Sequence, residues 1–377
     1  MNVKRLFDEI LLHKSKKEKE EFFQNFIINH PIMKKVIIEL MNEIYQGSQN
    51  ILMIVGPSGV GKSRLFYATI NTVLIDMKEE LDMNRGIIPI TGIELPNPDL
   101  GKFNWKDFYY RALSSLKEPL IDYKIEPNNL NDKEEKKEQR VSTAAALRRS
   151  LEKACINRHT KAILIDEAQH FFAINSKKRG DSEKNQRQFN SLKSLANMSN
   201  TKIVLFGTYD LNAVVNLDGQ LSRRVKEIHF PRYDYSLAED RKHFKSLLNT
   251  FQKLIPVEKE PDLIKYSEYI YENCVGCVGI LKDWLFRCLS DAIVNDENTI
   301  SFANLKKNAL QTKKLLTLAN EALIGEEQFK ESKSDQEELS LLLGTKKLVN
   351  KEKSKNNAKP GVRKPTRDDV GIEISEV

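Results

Sequence analysis

Eight consecutive residues, Gly56-Pro57-Ser58-Gly59-Val60-Gly61-Lys62-Ser63, follow the apolar run Ile51–Val55 and open a helical pattern from Ser63 to Thr72. The spacing G-x-x-x-x-G-K-S between a strand and a helix is that of a phosphate-binding loop. Its glycines let successive backbone N–H groups turn inward as an anion nest at a helix N-terminus. Lys62 then reaches the β- and γ-phosphates, and the Ser63 hydroxyl ligates Mg²⁺. Arg64, in the turn that follows, joins the residues expected to line the nucleotide. A plain glycine-rich turn would need the eight-residue match, the strand and the helix to coincide by chance. The chain is therefore expected to bind a nucleoside triphosphate, with ATP and Mg²⁺ as its cofactors.

Hydrolysis also needs a second carboxylate near the metal and a group that polarises water. Ala162-Ile163-Leu164-Ile165-Asp166-Glu167, four apolar residues ending in two acids, has the form of a Walker B strand. Asp166 is expected to complete the Mg²⁺ shell and Glu167 to orient or deprotonate the attacking water; the plainer alternative is a strand that ends in solvated acids. The run Lys202–Phe206 ends in Gly207-Thr208, which puts Thr208 at a strand tip as a sensor of the water or the γ-phosphate, although Gly-Thr is also a common strand exit. Leu221-Ser222-Arg223-Arg224 comes just before the fifth apolar run. From there Arg223 or Arg224 can project into a neighbouring subunit's site and stabilise charge on the transferred phosphoryl group, with a surface salt bridge as the alternative. In Gly279-Ile280-Leu281-Lys282, Lys282 sits in a first helical turn as a candidate second sensor. Cys274 and Cys277 form a lone C-x-x-C with no second pair at finger-like spacing, so they read as buried helix positions.

The elements that must hold these groups alternate. Five short apolar runs, Ile51–Val55, Ile87–Thr91, Ala162–Asp166, Lys202–Phe206 and Lys226–Phe230, recur between helical patterns such as Trp105–Leu116 and Ser142–Asn157. This predicts an α/β fold, a five-stranded parallel sheet flanked by helices. Residues 1–45 read as a helical leader and 46–232 as the nucleotide-binding domain. After Pro231 the pattern is wholly helical, at Leu237–Leu254, Asp262–Val275, Val278–Val294 and Phe302–Leu323, giving a small helical lid over 233–324. The charged run Asn131–Arg140 reads as a solvated loop. Residues 325–377 read as a flexible basic tail with a short helix at Gln336–Leu343, because Lys346–Lys364 has little to bury. A length of 377 residues permits two or three such units. The net charge of +7 suits an anionic partner such as nucleic acid but also suits many enzymes. Four cysteines, a charged N-terminus and no long apolar segment predict a cytoplasmic protein outside the membrane.

Taken in chain order from roughly Ile32 to Leu323, these features resemble an AAA+ ATPase. Within that class the strings Gly-Pro-Ser-Gly-Val-Gly-Lys-Ser, Ile-Pro-Ile-Thr with a proline-containing loop at Leu95–Pro98, Ile-Leu-Ile-Asp-Glu-Ala-Gln-His-Phe and Leu-Phe-Gly-Thr are similar to the TnsC/TniB regulators of DNA transposition. The resemblance, and not the composition, implies a homo-oligomer, ring or helical filament, assembled with ATP on duplex DNA without sequence preference. It also implies contact with a TniQ/TnsD-like target selector and recruitment of a DDE transposase of the TnsB/TniA kind, with hydrolysis controlling disassembly. The Asp122–Arg140 insertion and the long tail exceed what a minimal member needs, and Lys282 stands where arginine is more usual. Basic groups lining such an assembly meet phosphates and not base edges. The candidates are Lys102 and Lys106 after the second strand, and Lys177, Lys178 and Arg179 after the Walker B acids, although each cluster reads more simply as a solvated surface. Two other readings stand beside this one. A signalling or defence ATPase acting through protein partners is disfavoured by the lack of a repeat array, and a helicase-loader or replication-initiator relative by the lack of a winged-helix pattern after the lid.

Overall fold

Strands covered on both faces read as unbroken apolar runs, and that is how the sheet of this chain is built. The computed structural model describes residues 5–98, 103–124, 143–172, 181–216, 223–330 and 332–345. Strands β1 (Ile51–Val55), β2 (Ile90–Glu94), β3 (Ala162–Asp166), β4 (Lys202–Gly207) and β5 (Val225–His229) form one sheet in the order β2-β3-β4-β1-β5. All neighbours pair in parallel. Every residue of β1 and β3 is buried, yet the two faces still alternate with period two. Ile51, Met53 and Val55 join one core with Ile163, Ile165, Ile203 and Leu205. Leu52 and Ile54 join the other with Leu164, Val204 and Phe206.

Helices α1 (Lys16–Asn25), α2 (Pro31–Gln46), α3 (Lys62–Asp76), α4 (Lys78–Met83), α5 (Trp105–Ser115), α6 (Ala144–Asn157), α7 (Asp181–Ser199) and α8 (Tyr209–Asn216) come before β5. Buried residues of α5 to α8 fill the first core, and those of α2 and α3 fill the second. A third core belongs to the helices that follow β5. These are α9 (Ala238–Leu254), α10 (Ser267–Cys274), α11 (Val278–Val294), α12 (Phe302–Asn308) and α13 (Thr312–Glu327). Its centre is Trp284, fully buried, whose indole N–H donates to Leu305 O at 3.1 Å. No described helix is long and apolar enough to cross a membrane. Residues 330–377 form a separate unit whose described part carries α14 (Lys333–Leu342), opened by a capping box between Ser332 and Asp335.

Several boundaries differ from the sequence reading. The second strand begins at Ile90 rather than Ile87, since Pro89 has no N–H to give and Ile87 closes a turn onto Asn84 O at 3.2 Å. The long helix expected over Phe302–Leu323 breaks at Ala309, which is extended, and resumes at Thr312. Arg287 holds Asn308 O at 3.3 Å, so α12 ends against α11 and α13 leaves in its own direction, running on to Glu327. The tail helix starts at Lys333. Most of the expected basic tail, and the run Asn131–Arg140, lie outside the described residues.

The first helix packs against the helices that follow β5. Phe23 is completely buried in the lid core, with its ring 6.2 Å from that of Phe251. Arg5 donates to Ile255 O and Val257 O, both at 2.8 Å, and Ser290 bonds Glu20. The helical period of 1–45 gave no sign of this, because an apolar stripe says that a face is covered but not by what. Phe23→Ala should therefore destabilise the lid by about 3–5 kcal/mol. The same change at half-buried Phe22 should lower the thermal midpoint much less, which calorimetry of the two variants checks.

Candidate nucleotide site

Parallel sheets bind ligands beyond the carboxyl ends of their strands, where the strand order reverses. Here β1 lies between β4 and β5, so the chain leaving β1 crosses that edge at Gly56. Gly59 and Gly61 take positive φ values of 76° and 115°, turning the loop before α3 starts. Gly61 caps α3 without a side-chain acceptor, so the first amides of the helix remain directed at the loop's concave side. The Lys62 ammonium folds back onto Gly56 O and Pro57 O, each at 2.9 Å. Burial pulls its pKa down, opposed by the charges of Glu167 and Asp166. Gly56 to Ser63 and Arg64 thus fall on one strand-to-helix turn, with Ser63 exposed at its mouth.

Two strands away, β3 delivers the acids. Asp166 is 8% exposed and accepts from Glu167 N at 2.9 Å. Its burial raises the carboxyl's pKa, while a hydrogen bond from the Ser63 hydroxyl counteracts that rise. The Ser63 hydroxyl and the Asp166 carboxylate are oxygen groups close enough to influence one another, the kind of donors a hard divalent cation takes together with phosphate oxygens. Among the described residues no group of three or more His, Cys, Asp or Glu side chains forms a metal cluster. Mg²⁺ would thus be held here by Ser63, Asp166 and the nucleotide itself. Glu167 adopts a left-handed conformation, φ 54°, and throws the chain into the short 3-10 turn Ala168–Phe171. Gly207 pairs with Val55 across β4 and β1, so Thr208 stands level with the start of the loop, on the strand between the two motifs.

Lid and loop touch directly. Ile280 N donates to Gly59 O at 3.2 Å. A Cβ on Gly279 would stand only 2.5 Å from that same oxygen, so only glycine admits this approach. Beside the contact, Phe26, Ile27, Ile28, His30, Val60, Gly61, Arg64, Val278, Gly279 and Lys282 line a cleft of about 430 Å³, counting the space open to solvent. Its wall is largely apolar, and the space it encloses is about 50 Å³, so a nucleobase enters beside the phosphate loop only if the cleft opens. The segment Phe26–His30 was missed in the sequence, where it carries no motif. His30 bonds the Tyr233 hydroxyl at 3.1 Å, and burial pushes its pKa down to about 4, so it lines the cleft uncharged near neutrality. Lys282 donates to Gln24 O and Phe26 O, both at 2.7 Å, and Arg64 donates to Gln24 O at 3.1 Å. Both cations sit at the C-terminal end of α1, where helix carbonyls attract positive charge. Burial and then the neighbouring Arg64 lower Lys282 to about 8.

Arg223 and Arg224 lie elsewhere. The register pairs Ile51 with Val225 and Val55 with His229, so both arginines flank the end of β1 opposite the loop, and Arg223 O accepts from Gln49 at 3.4 Å. A missed arginine, Arg232, follows β5 directly and pairs with Glu326 at 2.9 Å. Lys106 is exposed in the first turn of α5, after Asn104 has capped it. Lys102, Lys177, Lys178 and Arg179 lie outside the described residues. Lys62→Ala should weaken binding of a fluorescent ATP analogue roughly 100-fold, the scale of a lost charge-assisted phosphate contact.

Residues 45–215 match the family described as an AAA domain. Comparison with curated proteins gives no match. Among solved structures the chain is similar to a Walker-type ATPase of Pyrococcus abyssi, at 18% identity over 86% of this chain and 81% of that one, TM-score 0.44. It is similar to the Orc1 protein of Aeropyrum pernix in complex with DNA at 12% identity over 82% and 70%, TM-score 0.49. Domain III of the Thermotoga maritima replication initiation protein DnaA gives 14% identity over 80% and 97%, TM-score 0.40. With the parallel sheet, the flanking helices and the phosphate loop already in place, the match identifies residues 45–215 as an AAA-type P-loop ATPase domain in an AAA+ fold.

Proposed function

We propose that this chain is an ATP-driven switch that oligomerises on duplex DNA, and that it regulates DNA transposition by linking a TniQ/TnsD-like target selector to a DDE transposase of the TnsB/TniA kind. The observation that carries the oligomer is the position of Arg223 and Arg224. Val225 stands about 13 Å along β5, at ~3.3 Å per residue, from the strand end that borders the phosphate loop, and both arginines precede it, so neither serves its own site. A neighbouring copy that presents this edge to the loop completes the site in trans. The DNA and transposition parts rest on the resemblance of the Asp-Glu-Ala-Gln-His-Phe and Leu-Phe-Gly-Thr strings, with the net charge of +7 in accord.

In this reading Lys62 exchanges Gly56 O and Pro57 O for phosphate oxygens, and the Ser63–Asp166 pair holds the metal. Bound MgATP supplies the phosphoanhydride that is cleaved. Glu167 takes a proton from the attacking water while Thr208 fixes the geometry beside it, and the partner's arginine balances charge as the leaving oxygen departs. Lid and α1 close the apolar cleft over the base.

Glu167→Gln should trap an ATP-bound assembly. Arg223→Ala or Arg224→Ala should lower the ATPase rate by about 1,000-fold or more. Mixing the arginine variant with Lys62→Ala should restore part of that rate, because each copy supplies what the other lacks. Electron microscopy with duplex DNA should show rings or filaments only with a slowly hydrolysed ATP analogue, and stable oligomers of Lys62→Ala on DNA without nucleotide would refute the proposal. If nucleotide binds but DNA is ignored, signalling through protein partners becomes the better reading.

A further inference from the structure

We infer that Gln169 is a positioning residue for hydrolysis, holding the Glu167 carboxylate in place through its side-chain amide; this rests on reading Glu167 as the group that activates water. The 3-10 turn after β3 is anchored by Ala168 and Phe171, both buried in the core below the sheet edge. His170 N closes it onto Glu167 O at 3.0 Å. That leaves Gln169 on a rigid turn, with its Nε2 donating to a Glu167 carboxylate oxygen. An ionised carboxylate only accepts, so the amide must present its N–H side to Glu167 and its oxygen the other way.

The other way is the tip of β4. Gln169 Oε1 is buried there without a protein donor, and a Cβ on Gly207 would come within 3.1 Å of it. That Cβ would also stand 2.8 Å from Leu211 Cδ2, so the bare Gly207 leaves room for both the Leu211 side chain and this amide at the tip of β4. A buried acceptor with no donor weakens the folded state, and an apolar side chain of the same length would remove that weakness. A glutamine that served packing alone would be the poorer choice at this position. What it supplies instead is a fixed direction for the carboxylate, so one Glu167 oxygen is held by Gln169 and the second is left for water. Hydrolysis then forms the bond from water oxygen to γ-phosphorus, breaks the bond to the β-γ bridging oxygen, and moves the water proton to the free Glu167 oxygen, with ADP and inorganic phosphate leaving.

Gln169→Met is the decisive variant. We expect kcat for ATP to fall about 100-fold, the scale of a misplaced reacting group, with the Kd of a fluorescent ATP analogue within about two-fold of the parent and the thermal midpoint equal or higher. Gln169→His, which keeps an N–H donor, should recover part of kcat. A Gln169→Met rate close to the parent's would overturn the inference, as would joint loss of rate, nucleotide affinity and stability. Its failure is separable from failure of the reading beneath it. If the parent hydrolyses ATP and Glu167→Gln does not, an unchanged Gln169→Met rate refutes only the role of Gln169; if Glu167→Gln hydrolyses normally, the role of Glu167 itself falls.

Discussion

A partly buried ammonium at the ends of parallel strands is the constraint around which the site is arranged. Withdrawn from water, the Lys62 ammonium is disfavoured unless charge or hydrogen bonds offset the loss. Two loop carbonyls and the pair Asp166 and Glu167 do so in the nucleotide-free chain. The loop therefore has to follow β1, the acids have to end β3, and β4 has to separate them by one strand. The order β2-β3-β4-β1-β5 satisfies all three conditions. In the proposed mode of binding, phosphates entering the nest would replace the two carbonyls and meet a lysine already in place.

The motifs were legible because their chemistry demands residue types at fixed offsets. Gly56 to Ser63 and Ala162 to Glu167 fell where the sequence put them, and the edges of β1 and β3 matched to the residue. What was not legible depends on contacts between distant segments. Nothing local in Phe26–His30 marks it as a wall of the cleft; it is one because α1 on one side packs with α11 while α2 on the other packs with the sheet. Lys282 illustrates the same limit. Its place in the first turns of α11 was readable, but its present partners, Gln24 O and Phe26 O, come from the opposite end of the chain. Gln169 hid inside a string that was read for its two acids.

The lid is not a passive cover. Through Gly279 and Ile280 it leans on Gly59, and through Lys282 it shares the α1 carbonyls with Arg64 of the loop's own helix. Any ligand that draws Arg64 or Lys282 toward phosphate loosens the hold on α1, so loop, lid and N-terminal helix respond as one body. On the other side, Gly325 of α13 lies against the ring of Tyr209, the residue after Thr208, and Tyr209 bonds His229 at 2.9 Å. The tip of β4 is thereby packed against α13.

That α1 belongs to the lid also sets an order of events during synthesis. Gln24 and its partner Lys282 are 258 residues apart. At ~5–20 residues per second, roughly 10–50 s pass between them on the ribosome. Through that interval the sheet and its helices can form, but α1 waits with Phe22, Phe23 and Phe26 uncovered. The aromatic face that later joins the helices after β5 is thus, for the newborn chain, an exposed apolar surface until α11 emerges.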